Sequence, residues 1–257
     1  MIGDLLGATS MSTLFYRNPV LINLGQHASL GFKPTDGYGF ARETNAVPVN
    51  LIEFQAVGRD YPIAFVGGAE PYPAAIVGLK EDNLFVGADG AWKAGAYVPA
   101  YVRRYPFIFA DDKDRDLLSL CVDEPSLVAE GGAPIFEGEG PSPFTSRALD
   151  FCKQYHAAAL PTQVFASAVV EQDLLAERQV NVTLKDGRSY VLNGVKMIDE
   201  DKVAKLSGEV LADWNAKGWL KGLFAIIQSG ANWGDLGDML AAGSAPAADA
   251  KGAKSKG

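Results

Sequence analysis

The first half of the chain alternates short apolar runs with turn-forming residues. Apolar runs cover 62–66, 74–79 and 84–86, with Gly-Gly, Pro-Tyr-Pro and Glu-Asp-Asn between them. Runs of this length, bounded by Gly, Pro, Asn or Asp, are typical of β-strands joined by turns. Asp89-Gly90 between apolar stretches adds a hairpin signal. The pattern therefore predicts a β-rich N-terminal half.

The middle of the chain contains a Gly- and Pro-rich segment at 129–143, which predicts a long connection and is where an internal domain boundary would fall. After it, 143–156 and 161–175 have helical patterns, each beginning with a proline that suits the first turn of a helix. Before it, the charged residues 111–116 predict an exposed loop that leads into a strand at 117–122. This loop lacks the glycine and final glutamate of a calcium-binding EF-hand.

A further hairpin is predicted in the second half of the chain. Val180, Val182 and Leu184 alternate with polar residues up to Asp186-Gly187, and apolar residues resume at 190–192. Alternation on both sides of an Asp-Gly pair is the pattern of two antiparallel strands joined by a tight turn.

Residues 219–230 place their apolar side chains on one broad face of a helix. We favour packing of this terminal helix in the core over contact with a partner protein, a second copy of the chain or a membrane surface. Lys217 and Lys221 are the lysines on its polar side, too few to favour an anionic membrane.

These patterns together predict an α+β fold. The N-terminal half is β-rich with hairpins, and the C-terminal half has helices and one further hairpin. We expect one α+β domain over 11–240, an upstream extension at 1–10 with Met11 as an alternative start, and a disordered tail at 241–257.

Composition narrows the function classes. The chain has 257 residues, of which 48% are hydrophobic, and a formal net charge of −8. An acidic chain is poorly suited to nucleic acid, because phosphate contacts need a basic surface. No stretch approaches the roughly 20 apolar residues of a membrane-spanning helix, and the N-terminus lacks a signal-peptide pattern. Cys121 and Cys152 are too few for a disulfide framework, so we expect buried thiols and a cytoplasmic location.

No catalytic or cofactor motif is present. The chain has no phosphate-binding P-loop, no dinucleotide fingerprint and no G-x-S-x-G sequence, so nothing supports a cofactor or a metal. On a helix, Cys152 and His156 would share a face as a thiolate–imidazole pair, although an inward Cys152 with His156 at the rim is the favoured interpretation. The acidic runs at 123–124 and 199–201 could supply an acid–base pair, but solvated or helix-capping carboxylates are favoured.

The most unusual segment is 97–107, where two arginines stand among aromatic residues in an acidic chain. Arg103 and Arg104 suit carboxylates or phosphates, and Tyr101 and Tyr105 can stack on them. As a functional site the segment would bind an anion or a peptide carboxylate. We favour the structural alternative, in which the arginines pair with internal carboxylates and the aromatic rings fill the core.

The candidate binding residues follow from this segment and its expected charge partners. They are Tyr101, Arg103, Arg104, Tyr105, Asp123 and Glu124.

With these residues in hand, the chain resembles the SapC family of bacterial proteins over about 15–240. The segments that carry the resemblance are 83–86 with 89–92, then 97–107, 120–124, 186–187 with 192–200, and 219–220 with Ser229. The family is named for a component linked to surface-layer protein secretion, and the resemblance implies no catalytic residues. Members also look like genomic companions of TonB-dependent receptors, flavin-dependent halogenases and cupin-like hydroxylases.

The leading hypothesis is a non-enzymatic accessory protein that binds a protein partner from a surface-layer secretion, envelope uptake or peptide and protein modification system. The alternative is an enzyme that acts on a peptide or glycan through carboxylates or Cys152 and His156. A third hypothesis is a structural homo-oligomer that self-associates through the terminal helix.

Overall fold

The computed structural model of the chain describes residues 14–33, 36–112, 117–183, 187 and 189–243. The described strands are β1 (Pro19–Leu21), β2 (Gly31–Phe32), β3 (Ala46–Pro48), β4 (Ile63–Val66), β5 (Tyr72–Ile76), β6 (Phe107–Asp112), β7 (Leu117–Asp123), β8 (Leu127–Val128), β9 (Ala133–Pro134), β10 (Phe136–Glu137), β11 (Gly140–Pro141), β12 (Leu175–Thr183) and β13 (Ser189–Ile198). The described helices are α1 (Leu24–His27), α2 (Phe54–Val57), α3 (Ala100–Arg103), α4 (Pro143–Glu171), α5 (Glu200–Val203), α6 (Gly208–Ala216), α7 (Trp219–Ser229) and α8 (Asn232–Gly243). This arrangement confirms the predicted α+β fold, and the segment predicted as an upstream extension lies outside the described residues.

The largest sheet is antiparallel, with the strand order β12-β13-β4-β5-β3. Its central hairpin, β4 and β5, comes from the first half of the chain, and the β12–β13 hairpin from the second half confirms a prediction. The predicted turn residues 184–186 lie outside the described residues. The sheet therefore joins segments that are more than 100 residues apart in the sequence.

The predicted strand at 84–86 is wrong, since only an isolated bridge between Val86 and Trp92 forms there. The side chain of Asn83 donates to the carbonyl of Ala41 and accepts from the amide of Phe85. An asparagine that bonds the backbone two residues ahead holds a turn and competes with strand pairing.

The two helices predicted around Pro161 form one helix, α4. Ser142 caps its start by accepting from the amide of Thr145, and Pro143 occupies the first turn as predicted. Pro161 lies inside the helix, where it removes one backbone donor. The hydroxyl of Thr162 donates to the carbonyl of Ala158 at 2.7 Å and accepts from the amide of Leu51 at 2.8 Å. The contact with Leu51 ties α4 to the segment before α2 just beyond the proline, so tertiary packing holds the helix there.

The main core lies between the large sheet and helices from both ends of the chain. Phe54 and Phe65 pack in one cluster with Phe165 of α4 and Leu223 of α7, so residues on both sides of 129–143 share it. The hydroxyl of Ser229 accepts from the amide of Ile63, which ties α7 to β4. The terminal helix is therefore part of the core, as predicted.

Some surfaces of the C-terminal helices stay exposed. Phe224 of α7 is half exposed, and self-association through this helix stays a prediction. Helix α8 extends to Gly243, and residues 244–257 of the predicted tail lie outside the described residues. No helix in the described part of the chain combines the length and apolar character needed to cross a membrane.

A second, smaller core lies beside the first. Strands β1, β7 and β6 form a three-stranded sheet, and β8, β2 and β9 form another. Between them and the start of α4 lie Phe32, Phe107, Val122, Ile135 and Cys152. The arginine-containing segment 97–107 runs into β6 and so lies between the two cores.

Candidate functional site

The two neighbouring arginines of 97–107 point to different environments. Arg103, at the end of α3, is exposed, and its guanidinium donates to the carbonyl of Val98 and to the Tyr97 hydroxyl at 3.0 and 2.9 Å. It also lies 5.2 Å from the ring centre of Phe151. Arg104 is buried. The two arginines therefore do not share one environment, because the helical turn sends consecutive side chains in different directions.

Arg104 lies among three tyrosine rings. Its guanidinium is 4.2 Å from the ring centre of Tyr101 and 4.5 Å from that of Tyr155, and the Tyr16 ring centre is 5.8 Å away. These rings come from α3, from α4 and from the segment before β1. We call Tyr16, Tyr101, Arg104 and Tyr155 the arginine cluster. Cation–π contacts of this kind stabilise a buried guanidinium and join the three segments.

The hydroxyls of the arginine cluster are protonated at neutral pH. Burial raises the pKa of Tyr16, Tyr101 and Tyr155, and it outweighs the opposite effect of Arg104 on each. Tyr16 donates to the carbonyl of Phe107 at 2.6 Å. A buried, protonated phenol engaged in this way is suited to packing and hydrogen bonding rather than to proton abstraction.

Asp123 and Glu124 do not pair with the arginines in this structure; they hold the segment before β1. The carboxylate of Asp123 is fully buried and accepts from the amides of Arg17 and Asn18 at 2.8 Å each. Its second oxygen accepts from the Tyr105 hydroxyl at 2.9 Å. Glu124 accepts from the side-chain amide of Asn18. The favoured internal partner for the arginines, Asp123, is therefore occupied by other donors.

Sequence reasoning missed a buried carboxylate, Glu53. It accepts from the Tyr97 hydroxyl at 2.9 Å, from the amide of Ala100 at 2.7 Å and from the amide of Asn50 at 3.2 Å. The Asn50-x-x-Glu53 spacing is the capping-box pattern that could have identified it. Glu53 thereby anchors the start of the 97–107 segment and of α3.

Cys152 and His156 both lie on α4, but their side chains are in different environments. Cys152 is buried in the smaller core, whereas His156 is exposed with its ring 6.1 Å from that of Phe109. Burial raises the pKa of the Cys152 thiol to about 11, which Arg104 offsets only partly. This is the favoured inward-cysteine arrangement, and it leaves the thiol without an imidazole base.

Cys121 and Cys152 should both resist iodoacetamide near neutral pH in the folded protein and react after unfolding. Burial raises each thiol pKa from 9.0 to about 11, so the reactive thiolate is scarce. Protonated thiols stabilise the folded state fully below pH 9, and this contribution is lost as the pH rises toward 11. Mass spectrometry of labelled protein measures the reaction, and rapid labelling of Cys152 in the folded chain would favour the cysteine-enzyme alternative.

A pocket of about 600 Å³ opens on one face of the large sheet. Residues from five parts of the chain line it: Leu14, Thr44, Asn45, Ala46, Val66, Gly67, Gly68, Ala69, Glu70, Tyr72, Ile76, Leu192, Asn193, Gly194 and Val195. The volume is in the range of ligand pockets, and the lining is mainly apolar with a few polar groups, as such pockets usually are.

Strand register explains why these side chains meet. Ala46 of β3 is opposite Ile76 of β5, and Val66 of β4 is opposite Tyr72 of β5. Directly opposed residues lie on the same face, and residues four apart on one strand also share a face. The four side chains therefore form one patch of the sheet, and Leu192–Val195 of β13 bounds it on one side.

The arginine cluster lies behind the pocket. Tyr101 accepts through its hydroxyl from the amide of Leu14, a pocket residue, at 3.0 Å. Burial raises the pKa of Tyr72, and the nearby Tyr101 and Tyr155 raise it further. The segment 97–107 thus supports the pocket from within instead of lining it.

The described residues bring the candidate binding residues together in two groups. Tyr101 and Arg104 belong to the arginine cluster, while Tyr105, Asp123 and Glu124 hold the segment before β1, and Arg103 lies apart. Within the described ranges, no group of three His, Cys, Asp or Glu side chains is arranged to hold a metal ion.

Residues 22–236 match the family model of SapC. The chain belongs to the SapC family. The match includes β2–β13 and most of the C-terminal helices, so it takes in most of both cores and all pocket residues except Leu14. No curated protein and no solved structure matches the chain.

Proposed function

We propose that this SapC-family protein is a non-enzymatic binding protein. In this proposal it acts in the cytoplasm as an accessory component of a bacterial surface-layer secretion, envelope uptake or peptide and protein modification system. The pocket of about 600 Å³ is the observation that carries the binding proposal. Family membership supports the connection with such systems.

The polar groups of the pocket favour binding over catalysis. Among the described residues that line it, one is a carboxylate, Glu70, whereas acid–base hydrolysis of a glycan uses two carboxylates across the scissile bond. Burial raises the pKa of the Tyr72 hydroxyl, which makes it a hydrogen-bond donor rather than a base. Cys152 lies in the smaller core and does not line the pocket.

Replacing Ala69 with tryptophan should block the pocket. Ala69 is exposed on the turn between β4 and β5 and lines the pocket, so a large ring there occupies ligand space without entering the core. We expect the affinity for the apolar dye 8-anilinonaphthalene-1-sulfonate to fall by about tenfold or more, which corresponds to roughly 1.4 kcal/mol. Dye fluorescence in a titration measures the affinity.

Ala94→Trp is the matched control, because Ala94 is also an exposed turn residue and does not line the pocket. It should leave dye affinity unchanged. The same variants test the accessory role: a component of one of these systems should co-purify with the tagged wild type and the control but not with Ala69→Trp. Equal dye binding by both variants would contradict the pocket as the binding site.

A further inference from the structure

Strand β13 has an open edge beside the pocket. On one side it pairs with β12 along most of its length, but on the other side it meets β4 at a single position, Lys196 opposite Phe65. Residues 189–195 therefore have no strand partner on that side within the described ranges. An open edge presents a row of backbone N–H and C=O groups with the spacing of an extended chain.

Two local features separate β13 from β4 at this point. The register between β12 and β13 shifts between Arg178 and Val180, so β13 carries a bulge that bends it. Strand β4 ends at Val66, and Gly67 has a φ of +105°, which turns the chain back into β5. The pocket borders the gap between the diverging strands, since Leu192–Val195 and 66–70 are both in its lining.

The walls of this gap leave room for another backbone. A Cβ atom added at Gly68 or at Gly194 would meet no atom within 4 Å. Glycine at such positions lets a second chain approach closely. The Tyr72 hydroxyl, which lines the pocket, makes no hydrogen bond to any other described residue and can donate to a ligand carbonyl.

Two lysines lie beside the open edge, although the chain as a whole carries −8 and Glu177 of β12 is directly opposite Lys196. The Lys196 ammonium donates to the carbonyl of Gly68 at 3.2 Å, and the Lys80 ammonium lies 4.6 Å from the ring centre of Tyr190. In the described part of the chain neither lysine has a carboxylate within ion-pair distance. Glu70 also lines the pocket.

We propose that the open edge of β13 binds an extended acidic peptide as an added strand, with one apolar or aromatic side chain of the peptide in the pocket. The peptide backbone bonds to residues 190–195, and its carboxylates lie near Lys196 and Lys80. Strand addition obtains affinity from backbone hydrogen bonds and specificity from pockets for alternate side chains. This inference rests on the proposed function, because it uses the same pocket.

The test begins with a display library of random peptides, selected on the full-length protein and counter-selected on Ala69→Trp. Enriched sequences should share one large apolar residue with Asp or Glu within a few positions of it. An enriched peptide is then synthesised with each backbone amide methylated in turn. We expect affinity losses of about tenfold or more at every second amide and small losses between them, because only alternate amides face the β13 edge.

Charge reversal tests the second part of the proposal. Lys196→Glu should weaken the same peptide by about tenfold, while Lys221→Glu, which changes an exposed lysine of α7, should leave its affinity unchanged. The proposal is overturned if no peptide is enriched, if methylation shows no alternation, or if both lysine variants bind alike. If no peptide binds but the dye still binds and Ala69→Trp still weakens it, this inference alone is overturned. If the dye does not bind in the pocket, the proposed function is overturned as well.

Discussion

Replacing Arg104 with alanine should lower the free energy of unfolding by about 3–5 kcal/mol, the range of large-to-small substitutions in a core. The substitution leaves a cavity between the rings of Tyr101 and Tyr155 and removes their cation–π contacts. Since Tyr101 holds the amide of Leu14, dye affinity of the folded variant should fall too. Urea denaturation measures the stability.

Arg103→Ala is the control for this result, because it deletes the same side chain one residue earlier at an exposed position. The loss there should stay below about 1 kcal/mol, as for most surface substitutions. Arg104→Lys should be intermediate, since lysine keeps the charge but not the planar group that stacks on the rings. A loss at Arg103 as large as that at Arg104 would show that the arginine cluster does not stabilise the fold.

Asp123→Ala should cost about 2–4 kcal/mol of stability. The substitution leaves the amides of Arg17 and Asn18 and the hydroxyl of Tyr105 without their acceptor. Each donor left unsatisfied in a buried environment costs on the order of 1–3 kcal/mol, and water can replace part of the bonding at the two amides. The same urea titration measures the effect.

Glu124→Ala provides the comparison, because it removes the adjacent carboxylate, which is exposed and accepts from the Asn18 side chain. A change below about 1 kcal/mol is expected for an exposed contact. Equal effects of the two substitutions would mean that Asp123 does not anchor the segment before β1. Loss of that anchor should also expose the Tyr105 ring, which near-ultraviolet circular dichroism would detect.

Local patterns in the sequence predict much of the fold. The apolar run at 62–66 matches β4 (Ile63–Val66), and alternation around Asp186-Gly187 predicts the β12–β13 hairpin. These predictions succeed because strand pairing across a short turn depends on nearby residues. The break expected at Pro161 does not occur, because tertiary contacts of Thr162 and Phe165 hold α4 on the far side of the proline.

The candidate site is harder to predict because burial depends on tertiary packing. Arg103 and Arg104 look equivalent in the sequence, yet only Arg104 is buried among tyrosines that include Tyr16 and Tyr155, which are distant in the chain. The aromatic residues of the segment mark it as unusual but do not reveal which arginine packs inside. The segment that identifies the family thus forms the support of the pocket.

The pocket has no continuous signature in the sequence. Its walls come from β3, the β4–β5 hairpin and β13, and the last lies more than 100 residues beyond the others. In the sequence Gly67-Gly68 predicts a turn, whereas in the structure both residues line the pocket together with Leu192–Val195 of β13. The pairing of Lys196 with Phe65 brings these elements together, and no local pattern predicts that register.

Methyl-selective NMR of the wild-type protein, titrated with 8-anilinonaphthalene-1-sulfonate, tests the binding claim most directly. We predict that the dye shifts the methyl signals of Leu14, Ile76 and Leu192, which line the pocket. The methyl signals of Leu223 and Ile226 in the main core should stay in place. Shifts confined to the terminal helix, or no shift at any pocket methyl, would contradict the claim that this pocket is the binding site.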